Sequence, residues 1–224
     1  MSKEDKWSRA LKRMLQDIEN EVRYTRSMIG REALSERVIE AVKRVPRHKF
    51  VDGQLKSRAY DNNPLPIGSG QTISQPYIVA LMTDLAEIDP DDKVLEVGTG
   101  SGYQTAVLAE LAKHVFSIEI VPELAETAKK RLQKMGYENI NTRRGDGYHG
   151  WPEEAPFDAI LVTAAAENIP PPLLEQLKPG GRLVIPVGAP YATQELLLVK
   201  KDEKGDYDIT HVLPVAFVPL TGEH

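Results

Sequence analysis

The chain has 224 residues, of which 41% are hydrophobic and 27% charged, with no cysteine and a net charge of −5. That length suits one domain with a full-sized core, and the missing cysteines exclude disulfides and thiolate chemistry. No apolar run approaches the ~20 residues that a membrane-spanning helix needs, and the five histidines are scattered without metal-ligand spacing.

At the start, Met1 to Lys6 has no apolar signal-peptide core behind it, so the expected compartment is the cytoplasm, with no membrane partner. Trp7, Leu11, Met14, Leu15, Ile18, Val22 and Met28 or Ile29 recur at helical spacing and predict one amphipathic helix over 6–29, stopped by Gly30. Residues 1–60 hold 15 Lys/Arg against 9 Asp/Glu, a local charge of +6 that leaves −11 for the remainder. This surface reads either as a solvated basic helix or as a preference for an anionic partner. The basic residues lack interleaved aromatics and the total is acidic, so nucleic acid is not the expected partner. Ser35 is placed to cap a second helix with an apolar face of Val38, Ile39, Val42 and Val45, ending before Pro46. Residues 52–73 read as a loop, with Asn62-Asn63-Pro64, Pro66, Gly68 and Gly70. A loop that long inside a compact chain is usually functional or disordered. Ser74 is a good N-cap, Pro76 is tolerated in a first turn, and Ile78, Val79, Leu81, Met82 and Leu85 follow at helical spacing.

The next stretch organises the rest. Val94, Leu95 and Val97 form the short apolar run of a buried parallel strand. Gly98, Gly100 and Gly102 then alternate, and Ala106, Val107, Leu108 and Leu111 give a helix its apolar face. A helix N-terminus offers free N–H groups above such a loop, and in doubly wound sheets that place is the ligand crevice. The spacing is not the nicotinamide fingerprint, because the third glycine comes one position early and Tyr103 holds its place. The strand His114–Glu119 ends in an acid 21 residues after Gly98, a distance suited to ribose hydroxyls. Beyond it the pattern predicts a helix over 123–135, a strand over 139–144 followed by Gly145-Asp146-Gly147, and a strand over 157–163. A short helix over 170–177, a turn at Pro179-Gly180-Gly181, a strand over 182–187 and terminal strands near 194–200 and 210–218 complete it. Strand–helix alternation closed by a hairpin indicates an α/β, doubly wound, mostly parallel Rossmann-like sheet with helices on both faces and antiparallel terminal strands.

Glu96 with the G-x-G-x-G loop resembles the first motif of S-adenosylmethionine-dependent methyltransferases of class I. Gly70-Gln71-Thr72-Ile73-Ser74-Gln75-Pro76 narrows the resemblance to the protein-L-isoaspartate (D-aspartate) O-methyltransferases. Supporting islands are Val45 to Val51, Gly145-Asp146-Gly147, Ala155 to Ile160, Leu177 to Leu183 and Val218-Pro219-Leu220-Thr221, so the likeness runs from about Met28 to Thr221. It implies a helical extension over 1–29 and a single methyltransferase domain over 30–224. It implies S-adenosyl-L-methionine as cofactor, with S-adenosyl-L-homocysteine as product. Gly98, Thr99, Gly100, Ser101 and Gly102 would cradle the methionine part, Glu119 the ribose, and Asp146-Gly147 the adenine edge. Gln71, Thr72 and Ile73 would lie over the donor, with Thr221 near the site. Thr72, Ser74 and Val79 would meet the substrate, Ser74 facing the reacting carboxylate. As bare residues, Ser74 reads equally as a helix cap and Thr221 as a surface threonine.

The implied activity is protein repair: methyl transfer to the free α-carboxylate of L-isoaspartyl or D-aspartyl residues in damaged proteins and peptides. That carboxylate, with a pKa of roughly 3.5 by the terminal-carboxyl reference, is ionised at neutral pH. No general base is needed, and no histidine–acid pair stands near the loops. Ser74 would act as a hydrogen-bond donor rather than a base. The main rival, another methyltransferase acting on nucleic acid or a small molecule, would for amino-group methylation usually carry an Asn- or Asp-Pro-Pro-aromatic element after the fourth strand. Here Thr163-Ala164-Ala165-Ala166 stands there. A second rival, a non-catalytic donor-binding module with residues 1–29 as a partner helix, fits poorly with an intact Ser74 loop.

Overall fold

Strand β3 (Lys93–Val97) lies at the centre of a seven-stranded sheet. The computed structural model describes residues 3–189 and 192–223; Met1, Ser2, Pro190, Tyr191 and His224 lie outside it. From β3 the chain passes through α4 (Tyr103–Ala109) to β4 (His114–Glu119), then through α5 (Pro122–Lys134) to β5 (Ile140–Arg144). It then returns to the other side of β3 with β6 (Phe157–Val162), α6 (Pro171–Glu175) and β7 (Leu177–Val187). These five strands are parallel. The last two, β8 (Gln194–Lys201) and β9 (Tyr207–Val215), run antiparallel, giving the order β5-β4-β3-β6-β7-β8-β9. The reversal of winding between β3 and β6 opens a crevice at their carboxyl ends.

Alternation along the buried strands divides the core. Val94, Val115, Ala159, Leu161 and Val184 face one layer, while Leu95, Val97, Phe116, Ile160 and Leu183 face the other. The first layer is thick. It contains α1 (Lys3–Ile29), α2 (Glu36–Arg44), α3 (Pro76–Leu85), α4 and the end of α5. The second is thinner, covered by Leu173 of α6 and by Trp151 between two short 3-10 turns. Helix α1 packs on α3 and β9, burying Met14, Ile18, Val22 and Ile29, with Trp7, Leu11 and Leu15 partly buried. Ile29 rather than Met28 completes the stripe, since Met28 is exposed.

Three local expectations change. Residues 52–73 are not one loop: they form a 3-10 turn (Gly53–Arg58) and a hairpin of β1 (Leu65–Gly68) and β2 (Gln71–Ile73). Pro179-Gly180-Gly181 lies within β7, at an irregularity in its pairing with β6, rather than before the strand. Neither Ser35 nor Ser74 caps a helix through its side chain. The Ser35 N–H donates to Asp84 Oδ1 (2.7 Å). Helix α3 has Gln75 as its N-cap, and its free Tyr77 N–H donates to Asn62 Oδ1 (3.0 Å).

Candidate active site

The floor of the crevice is the turn from β3 into α4. Gly98 N–H donates to Ile118 O (2.8 Å), tying the loop to β4. Gly98 has φ of +99°, and a Cβ there would stand 2.4 Å from Thr163 Oγ1, so no other residue fits without displacing its neighbour. Thr163, at the end of β6, donates its hydroxyl to Gly98 O (2.6 Å) and so fixes the loop from the far side. Beyond β4, Glu119 turns back over the loop: Oε2 accepts Gly100 N–H (2.7 Å) and Oε1 accepts Val121 N–H (2.9 Å). Each carboxylate oxygen keeps further lone-pair capacity toward the crevice.

Beneath the loop lies a buried polar cluster. The hydroxyls of Thr105 and Ser117 donate to Glu96 Oε2 (2.5 and 2.6 Å), and Ser117 meets Thr99 Oγ1 (2.6 Å). Glu96 is wholly buried, and burial pushes its carboxyl up to about 8, so it is mostly neutral at pH 7. A neutral acid here avoids a buried charge while its hydrogen bonds hold β3, β4 and α4 together.

The β1–β2 hairpin delivers Gln71 to Ser74 to the opposite wall. The resulting cleft, about 740 Å³ and partly open to solvent, is bounded by Gln71, Thr72, Ile73, Ser74, Val79, Gly98, Thr99, Gly100, Ser101, Glu119, Gly147 and Thr221 among the expected residues. Two expected residues do not line it. Gly102 is the N-cap of α4 and lies close to Leu132. Asp146 accepts the Tyr148 and Glu223 N–H groups, so its carboxylate anchors a short turn and the segment after Thr221. Residues the sequence reading passed over also line it: Tyr103, Gln104, Ile120, Val121, Thr163, Ala164 and Val218 to Leu220. Thr163 and Ala164 were recoverable from sequence, since they follow a parallel strand at the same sheet edge as Gly98 and Glu119. The Val218–Leu220 segment is held over the site by Ala165, whose N–H donates to Val218 O (2.8 Å) and whose O accepts Leu220 N–H (2.7 Å).

A second groove meets the first at Thr72, Ser74, Thr163 and Val218. Its walls are largely apolar: Pro64, Ile78, Pro214, Val215, Ala216 and Phe217. Ser74 stands at the junction, half-buried. Its carbonyl accepts Arg47 Nη2 (2.7 Å), while its hydroxyl has no intrachain partner among the described residues. The described residues contain no cluster of His, Cys, Asp or Glu able to hold a metal, and no helix among them is long and apolar enough to cross a membrane.

Known proteins agree with this geometry. The family described as protein-L-isoaspartate(D-aspartate) O-methyltransferase matches residues 24–224. A Syntrophobacter fumaroxidans relative named protein-L-isoaspartate O-methyltransferase 2 is 59% identical over 221 residues, covering 99% of this chain and 90% of the relative. That match takes in α1, so the likeness reaches further toward the N-terminus than Met28. A Polaromonas protein of the same name is 61% identical over 94% of this chain and all of its own length. A solved protein-L-isoaspartate O-methyltransferase superposes with a TM-score of 0.79 at 28% identity, covering 95% of this chain and 66% of that one. A Plasmodium falciparum candidate for the same enzyme, solved with S-adenosyl-L-homocysteine, gives 0.73 at 25% identity over 92% of this chain and 97% of that one. The chain therefore belongs to the protein-L-isoaspartate (D-aspartate) O-methyltransferase family.

Proposed function

We propose that the joined clefts carry out the family's reaction, methyl transfer from S-adenosyl-L-methionine to the free α-carboxylate of an isoaspartyl residue, with Ser74 aligning the acceptor. The carrying observation is the junction itself: a cradle fit for the donor and a groove fit for a peptide meet at one uncommitted hydroxyl.

The donor cradle passes a physical test. Gly98 and Gly147 leave no side-chain bulk in it, a Cβ at Gly147 being 2.3 Å from Val97 Cγ1. Glu119 is an acceptor pair for vicinal hydroxyls, already aimed by Gly100 and Val121. The Gly98–Ser101 main chain would hold the methionine part, Gly147 the adenine edge, and Gln71 to Ile73 the outer wall, with Gly102 and Asp146 acting through the loop and tail they anchor. The bound donor supplies an electrophilic methyl group with its leaving group built in.

The protein's own contribution is alignment and exclusion of water. Thr72, Ser74 and Val79 would border the acceptor. The Ser74 hydroxyl would donate to one carboxylate oxygen and leave the other free to attack. Holding reactants so aligned is worth effective molarities of ~10⁵–10⁸ M, and no base is needed because the acceptor carboxylate is already ionised at neutral pH. The ester then closes to a succinimide as the following backbone nitrogen attacks its carbonyl and methanol leaves, and hydrolysis of that ring partly restores normal aspartate. The apolar second groove would take the residues flanking the isoaspartyl site. We infer that this work takes place in the cytoplasm, a reducing compartment that a cysteine-free chain suits.

Labelled donor offered with an isoaspartyl peptide and its normal aspartyl twin tests the reading. The first peptide alone should take up label. Equal labelling of both, or labelling of RNA instead, would overturn it.

A further inference from the structure

Arg47 is the largest fully buried side chain described. A buried cation without a carboxylate beside it is costly, and no ion pair neutralises Arg47 among the described residues. Burial lowers its pKa to about 10, so it still carries its charge at neutral pH. The contacts it makes are all polarity without countercharge. Nε donates to Ala59 O (2.8 Å), Nη2 donates to Ser74 O (2.7 Å), and the guanidinium lies 4.7 Å from the centre of the Tyr103 ring.

Those contacts join the Ser74 turn, the Ala59 carbonyl and the start of α4. Ser74 lies between β2 and the N-cap Gln75, outside both hydrogen-bond ladders. Among the described residues, the Arg47 bond is the one hydrogen bond on its main chain. Tyr103 is the first residue of α4, directly after the glycine loop, and it lines the donor cleft. Arg47 is itself braced. Its neighbour His48 bonds Tyr60 OH (2.9 Å) and stacks on Trp7 of α1 at 4.4 Å, and Phe50 packs edge-on to Tyr103 at 5.4 Å.

We propose that Arg47 is a positioning residue for methyl transfer: it fixes the Ser74 carbonyl, thereby aims the Ser74 hydroxyl, and keys that aim to the donor loop through Tyr103. The proposal rests on the reading of Ser74 given above. A planar fork suits the task because it reaches two carbonyls in fixed directions while its face covers an aromatic ring; a lysine ammonium does neither.

A double-mutant cycle separates aim from general support. Single-turnover transfer to the isoaspartyl peptide is measured for the native protein, Arg47→Lys, Ser74→Ala and the double variant. Calorimetry with S-adenosyl-L-homocysteine reports whether each folded site is intact. Arg47→Lys should slow transfer by about tenfold beside Ser74 and by less than about twofold beside alanine, because a residue that acts through Ser74 has nothing left to aim. Product affinity should stay within about threefold throughout. Equal losses in both backgrounds would overturn the proposal. Should Arg47→Lys fail to bind product, Arg47→Gln, which removes the buried charge, takes its place in the cycle. Loss of product binding in both would also overturn it, since Arg47 would then hold the fold rather than the aim. A native protein that methylates nothing would instead overturn the function on which this rests.

Discussion

Ser74 and Glu119 line the donor cleft and Glu96 lies beneath its loop, and each answers to a different measurement. Ser74 caps nothing, so Ser74→Ala should leave stability within about 0.5 kcal/mol of native while single-turnover transfer falls. Ser74→Asp should transfer more slowly still, because its charge repels the acceptor carboxylate; near-native turnover in that variant would show that Ser74 does not face the acceptor. The cap's cost belongs to Asn62, where replacement by alanine should cost about 0.5–2 kcal/mol. Glu119→Ala removes a charged acceptor worth about 1.5–3 kcal/mol and should weaken S-adenosyl-L-homocysteine binding by roughly ten- to hundredfold; unchanged affinity in calorimetry would remove it from the site. Glu96 is raised in the folded protein from 4.5 to about 8 by burial. Across that window the native state holds a proton that the unfolded chain has lost, so stability falls as pH rises. The contribution is complete below about pH 4.5 and gone above about pH 8. Glu96→Gln has no proton to lose, and denaturant melts from pH 5 to 8 should show a flatter slope than the native protein; an identical slope would mean that Glu96 is not the group responsible.

Helix α1 shows what burial demands of an element. Met14 and Ile18 are fully buried against α3 and β9, so Ile18→Ala should cost about 2–5 kcal/mol. We propose that residues 1–29 act as an extension of a 30–224 catalytic unit that melts with it as one body. Ile18→Ala should then lower the single thermal midpoint and leave product affinity in the folded protein near native; a separate early transition would contradict this. The helix was legible because its stripe repeats over many turns, and β3, β4 and β6 were legible because buried parallel strands are written as apolar runs. The β1–β2 hairpin was not. Its strands have four and three residues, one of them Pro66, and it turns through Ser69 at φ of +51° between two glycines. The α3 cap was hidden for another reason: the acceptor, Asn62, is 15 residues from Tyr77, so folding rather than spacing brings it there. Most of the cleft's lining followed from the rule that ligands meet strand carboxyl ends. Asp146 did not, because its neighbours across space come from residues 222 and 223, which pattern cannot place.

At the scale of the molecule, donor and fold are linked through the crevice. S-Adenosyl-L-homocysteine at a hundred times its dissociation constant should add about 2.7 kcal/mol of stability. For a chain of this length that is a rise in thermal midpoint of about 5–10 °C, and scanning calorimetry with and without product measures it. The partnership of α1 with β9 has a consequence in time. A helix can form its own turns in microseconds, but α1 has no complete seat until β9 is in register, and β9, at the sheet's edge, pairs with β8, which pairs with β7. Docking α1 on β9 closes a contact across nearly the whole chain, and such distant contacts form slowly. The first helix in the chain is thus among the last to dock, and its apolar stripe stays uncovered while the sheet assembles. Ile18→Ala should therefore speed unfolding while leaving the refolding rate nearly unchanged; stopped-flow traces in which refolding slows instead would show that α1 seeds the fold rather than seals it.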